Sequence, residues 1–132
     1  MTNTATALQQ FFGSFGLPAY GKNNVPYTMD DNGEERRVSM PYITYEIVNP
    51  QPFARAMFHA WVWYRGTSYV PVCAKCDEIE AALHDGGVCI NTPSGAVYIM
   101  MDDGTPFAQE QPDPDINVRV MYLTMILHAD TY

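Results

Sequence analysis

Two cysteines three residues apart, in Cys73-Ala74-Lys75-Cys76, are the first place to look for chemistry. A structural zinc site needs four ligands, usually two such pairs or a cysteine pair joined by a histidine pair. Only Cys89 remains as a further thiol, and His84 is the nearest histidine. A redox pair would open a helix directly after a strand in an α/β chain. Cys76 instead continues an apolar stripe with Val72 and Ile79, so the pair reads as small core residues. His59, His84 and His128 are scattered, and none has the spacing of a helical metal pair. His59 falls among aromatics. His84 falls in a last helical turn, where partial positive charge suits the helix dipole. Asp102, Asp103, Glu110, Asp113 and Asp115 crowd one stretch. They match neither the register of a calcium loop nor a carboxylate pair fixed for acid–base work, and read as a solvated loop. There is no nucleophile elbow and no phosphate loop. The chain is therefore expected to be no enzyme and to hold no metal or cofactor. A small metal-dependent enzyme is the rival that stoichiometric zinc in the purified protein would revive.

What the residues offer in place of catalysis is contact. Along 57–65, alternate residues place Met57, His59, Trp61, Trp63 and Arg65 on one face of a strand. Phe58, Ala60, Val62 and Tyr64 fall on the other. A half-exposed antiparallel strand shows one polar face, yet both faces here are substantially apolar. One is expected to meet helices and the other a second sheet or a neighbouring subunit. Either the tryptophans fill the core, or Phe58, Val62 and Tyr64 do so and the tryptophans form an interface. Trp, Tyr and Met are enriched at interface cores. Met100, Met101, Met121 and Met125 can add adaptable contact surface.

The elements that must position these residues follow from periodicity. Leu8, Phe11, Phe12 and Phe15 share a helical face, with Thr2, Thr4 or Thr6 as cap, Gly13 and Gly16 as the stop, and an extended 17–20 after it. Residues 21–38 lose apolar periodicity and read as a loop, or as a hairpin closed by Asp31-Asn32-Gly33-Glu34 with arms at 25–27 and 37–39. Strands are expected at 42–48 and 57–65, antiparallel across the turn Asn49-Pro50-Gln51-Pro52. Thr67-Ser68 caps a second helix over about 69–83, with Val72, Cys76, Ile79 and Leu83 as its buried stripe and Asp85-Gly86-Gly87 as its stop. Strands at 88–91 and 96–101, a loop over 102–115 and a long strand at 116–128 complete the chain. With no regular alternation of strand and helix, this is α+β: an antiparallel or mixed sheet with two helices on one face.

At 132 residues the chain, 1–132, fits one domain. Hydrophobic residues make up 47% and charged ones only 17%, below the roughly 25% of ordinary domains, which favours an oligomer or a stable partner. The formal charge of −8 and the lack of a basic stripe argue against general nucleic-acid binding. An acidic surface keeps a protein soluble, or repels DNA from a channel wall. No stretch approaches the roughly 20 apolar residues of a membrane span, so no membrane role is expected. The opening residues lack a secretory pattern, and an odd number of cysteines fits reduced thiols in a cytoplasm.

Several segments together carry a resemblance. Phe11-Phe12-Gly13-Ser14-Phe15-Gly16-Leu17-Pro18-Ala19-Tyr20 comes first, then Pro41-Tyr42-Ile43-Thr44-Tyr45-Glu46. Trp61-Val62-Trp63-Tyr64-Arg65-Gly66-Thr67-Ser68, Asp77-Glu78-Ile79 and Gly104-Thr105-Pro106-Phe107-Ala108-Gln109 follow. In this order they resemble the small tail terminator, or tail completion, proteins of long-tailed phages and prophages. The resemblance covers most of the chain but not 21–38. It implies a tail-terminator-like fold and a structural role. A ring, typically a hexamer, would cap the finished tail tube, stop its polymerisation and meet the head–tail connector, while DNA passes through without specific binding. It would act in the virion, at the head-proximal end of the tail, after assembly in the host cytoplasm. The expected subunit or partner contacts are Met57, Trp61 and Trp63, with Tyr45 and Phe107 from the resembling segments. Another neck component, a connector or stopper, is the alternative.

Overall fold

The computed structural model describes residues 2–29, 31–51 and 54–131. The chain opens with helix α1 (Thr2–Phe12), a 3-10 turn (Gly13–Phe15) and strand β1 (Ala19–Gly21). Next come β2 (Tyr27–Met29), β3 (Glu35–Arg37), β4 (Tyr42–Tyr45) and β5 (Arg55–Arg65). Helix α2 (Val70–Ala82) leads to β6 (Val88–Thr92), β7 (Gly95–Met101), β8 (Ala108–Gln111) and β9 (Val118–Thr131). The main sheet runs β1-β4-β5-β9-β7-β6, with β8 also on β9, and it curls into a half-barrel. β1 lies parallel to β4 and the other pairs are antiparallel. β2 and β3 form a separate hairpin. The α+β expectation of a mixed sheet with two helices on one face describes this architecture.

Both helices are held by the stripes that their spacing places on one side. Leu8 and Phe12 are fully buried, and Phe11 nearly so. Phe12 stacks on Tyr45, with ring centroids 5.2 Å apart, and meets Phe58 edge-on. The Tyr45 hydroxyl donates to Gln9 Oε1 at 2.6 Å, and Gln9 Nε2 donates to the Ala19 carbonyl, tying α1 to β1 and β4. Gly16 ends this segment in the left-handed conformation, φ 79°, which glycine adopts without steric cost. On α2, Val72, Cys76 and Ile79 are buried, and Leu83 just beyond the helix completes the stripe. Ser68 Oγ accepts the Val70 N–H, and a proline in the first turn removes a donor that has no helical partner there. Lys75 Nζ donates to the Phe15 carbonyl and to Glu78, both at 2.8 Å, and joins the two helical segments.

Phe58, Ala60 and Val62 of β5 face these helices together with Ile43, Leu123, Met125 and Leu127. β9 is the centre of the sheet. It pairs with β5 along one side, and with β8 and then β7 along the other.

Several local expectations change: the strand expected over 42–48 ends at Tyr45, and Tyr69 rather than Thr67 or Ser68 is the N-cap of α2. The 21–38 segment takes its hairpin form, with arms shifted to Tyr27–Met29 and Glu35–Arg37. The acidic loop after β7 contains a strand, β8, whose polar side chains hide it from periodicity. Thr4 and Thr6 lie inside α1 and do not cap it. Pro52, in the expected turn before β5, lies outside the described residues.

Candidate interaction surface

The sheet face away from the helices carries Met57, His59, Trp61 and Trp63 of β5 and Val118, Val120, Tyr122 and Ile126 of β9. Register makes this so: Trp61 lies opposite Tyr122 and Trp63 opposite Val120. Trp61, Val118 and Val120 form a second, smaller buried cluster, with Met40, Trp63 and Tyr122 packed against it. Trp61 is only 8% exposed. Its Nε1–H donates to Gln111 Oε1 at 3.1 Å, and Lys22 Nζ stands 4.7 Å from its ring. Trp63 is half-buried and donates to Thr44 Oγ1 at 2.9 Å. His59 stacks on Tyr122 with centroids 4.6 Å apart. Met57 stands 47% exposed at the far end of the row.

The hairpin stands over one end of this face and leaves a cleft of about 500 Å³. Thr44, Trp61, Trp63 and Gln111 line it from the sheet, and Lys22, Asn23, Val25, Tyr27 and Arg37 from the segment around the hairpin. Arg37 Nε donates to the Tyr27 hydroxyl at 3.3 Å, a contact that pushes the guanidinium further up from its ordinary value. Burial pushes the Tyr42 phenol up, and nearby Arg37 partly offsets this.

The expected contact residues divide between the two faces. Met57, Trp61 and Trp63 share the outer one. Tyr45 is 3% exposed on the helix side, where burial pushes its phenol up. Phe107 is partly buried against that same core. Lys22, Tyr27 and Arg37 come from one turn-rich segment and Gln111 from β8, far from each other and from the tryptophans in sequence, so no spacing could have grouped the set. A basic residue on each side of a turn-rich stretch was the one available signal.

The residues considered for chemistry have structural surroundings. Among the described residues no three or more His, Cys, Asp or Glu side chains are placed to hold a metal. His128 Nε2 lies 2.8 Å from Asp130 Oδ1. In the acidic loop, Asp102 Oδ1 accepts the Gly104 N–H and its Oδ2 the Thr105 hydroxyl. Asp113 and Asp115 accept the N–H groups of Asp115 and Asn117, both at 2.9 Å. These aspartates build turns. No helix among the described residues is long and apolar enough to cross a membrane.

Burial pushes the Cys76 thiol up from 9.0 to about 12, with Cys73, Asp77 and Glu80 adding to the effect. The folded state thus holds this proton more tightly than the unfolded chain. Its contribution to stability is complete below pH 9.0 and is lost as pH rises towards 12. The expected loss is roughly 1.4 kcal/mol per pH unit within that window. Urea unfolding at increasing pH should show this slope, and Cys76→Ala should flatten it. An unchanged slope in the variant would assign the effect to the tyrosines. Cys89, exposed on β6, should react with a thiol reagent in the native protein while Cys76 stays protected.

Comparison with known protein families, curated proteins and solved structures found no match to this chain.

Proposed function

We propose that this chain is a structural protein that assembles through the outer face of its sheet, as a tail terminator does. The observation that carries the reading is that face: a row of Met57, His59, Trp61, Trp63, Tyr122 and Ile126 that neither helix covers. Trp61 is buried, but the rest of the row is exposed or half-exposed, and largely apolar surfaces of this kind mark interaction sites. The ordered segments described above supply the kind of assembly: a ring, six-membered in that family, seated on the end of a tail tube. There it would stop tube growth and present a surface to the head connector. The excess of acidic residues suits a lumen that DNA passes without sticking. In this reading the protein performs no catalysis.

The experiment is addition of the purified protein to polymerising tail tube protein, followed by negative-stain imaging of tube lengths and ends. Short tubes with capped ends are expected. Met57→Glu should abolish capping and leave the thermal midpoint almost unchanged, because a half-exposed side chain adds little to the core. Binding to the head connector with no effect on tubes would favour a stopper or connector. Full capping by Met57→Glu would remove the outer face from the contact.

A further inference from the structure

We infer that the cleft between the hairpin and the tryptophans receives the acidic β7–β8 loop of a second copy of this chain. This names the contact behind the self-assembly proposed above and rests on that part of the reading.

The charge of the cleft opposes that of the chain. The chain has fifteen acidic residues against seven lysines and arginines, yet among the described residues the only charged ones lining this cleft are Lys22 and Arg37. Among the described residues neither meets a carboxylate. Lys22 lies against the Trp61 ring, and Arg37 against the Tyr27 ring and hydroxyl. Two cations over an aromatic floor, with the Gln111 and Asn23 amides beside them, suit a carboxylate on a short apolar stem.

Several carboxylates are already engaged within the chain. Glu78 is held by Lys75, Asp130 by His128, and Asp115 by Arg65 and its own turn. In the β7–β8 loop, Asp102 spends its oxygens on Gly104 and Thr105 and so fixes the turn. The next residue, Asp103, is exposed at its tip; Asp31, Glu35, Asp77 and Asp85 are exposed as well, and Asp103 differs from them in standing on a turn that its neighbour's side chain fixes. Phe107 follows in the same loop, partly buried at its base.

Lys22 and Arg37 stand on the β1–β4 side of the sheet, while the loop leaves from β7 and returns as β8 on the opposite side of β9, where only Gln111 at the far end of β8 reaches the cleft among the described residues. A loop on one flank that enters a cleft at the other makes a head-to-tail contact between unlike patches. Repeated, such contacts close into a ring.

The test uses the full chain. Its only two tryptophans both line the cleft, so intrinsic emission reports on it directly. Light scattering and tryptophan emission would be followed across a wide protein concentration range at low salt, with far-UV circular dichroism as the check on folding. Concentration-dependent mass and an emission shift with the same midpoint are expected. Lys22→Glu with Arg37→Glu should weaken association on the order of 100-fold, and Asp103→Lys roughly tenfold. Mixing these two variants should recover association, because each supplies the charge that the other reversed. If the cleft pair perturbs folding, Lys22→Glu alone serves in its place. A monomer at every concentration, or association indifferent to these charges, would overturn the inference. So would an emission change produced by a single-stranded oligonucleotide and not by protein concentration. Tube capping separates the two readings. Capping that survives the charge reversals removes this contact alone, whereas charge-dependent association without capping removes the tail-end role alone.

Discussion

Phe12→Ala is expected to lower the unfolding free energy by about 3–5 kcal/mol, a large share of the roughly 5–15 kcal/mol of an ordinary domain. Phe12 is fully buried and lies where α1 meets two strands, stacked on Tyr45 and edge-on to Phe58. Phe11 touches it from the same helix at 5.0 Å. These neighbours are large, rigid rings fixed by sheet register and by the Tyr45–Gln9 hydrogen bond, so the site cannot collapse to fill the space. Urea unfolding at neutral pH measures the loss. A loss under about 1.5 kcal/mol would mean that α1 shifts inward and heals the cavity.

Gly87→Ala is expected to cost roughly 3–4 kcal/mol, well above the usual surface change. Three successive residues, Asp85, Gly86 and Gly87, have positive φ, at 61°, 92° and 95°, and turn the chain from the end of α2 into β6. A Cβ on Gly87 would collide with the Ile99 carbonyl oxygen and lie 2.9 Å from Met100 Cβ. The oxygen belongs to β7, whose Ile99 pairs with Val88 at the start of β6, so relief by movement disturbs that ladder. Gly86→Ala is the internal control. Its φ is similar, but a Cβ there meets nothing within 4 Å, so only the conformational cost of about 1–2 kcal/mol applies. The gap between the two variants isolates the collision. Equal losses would show that β7 yields freely at Ile99.

Strong periodicity made parts of this molecule legible from sequence. The stripe Val72, Cys76, Ile79 and Leu83 located α2 and its buried side, because helix geometry leaves those positions no other place to meet. The alternation along β5 likewise separated Phe58 and Val62 from Trp61 and Trp63, as the register has it. It left open which set meets the helices. The answer depends on α1 and α2, which bring Phe12 and Ile79 to the Phe58 side. In β4 the same logic fails. Tyr42, Ile43, Thr44 and Tyr45 are all buried, so nothing in the pattern phases the strand, and Tyr45 falls on the helix side. β8 was invisible because Gln109, Glu110 and Gln111 join the sheet through backbone bonds that any side chain permits. The parallel contact of β1 with β4 arises from the path of α1, over a distance that local patterns do not reach.

The strand that unites the sheet has a consequence for how a cell must make this protein. β9 follows β5, β7 and β8 in the chain yet pairs with all three. A ribosome therefore releases every partner before the strand that joins them. Until β9 emerges, β5 has no neighbour on that side, and Phe58, Val62, Trp61 and Trp63 lack the residues that bury them. Pairing across such sequence separations is slow, and it leaves adhesive edges open while it waits. Nascent chains crowded on one messenger would share those edges with each other until β9 closes them.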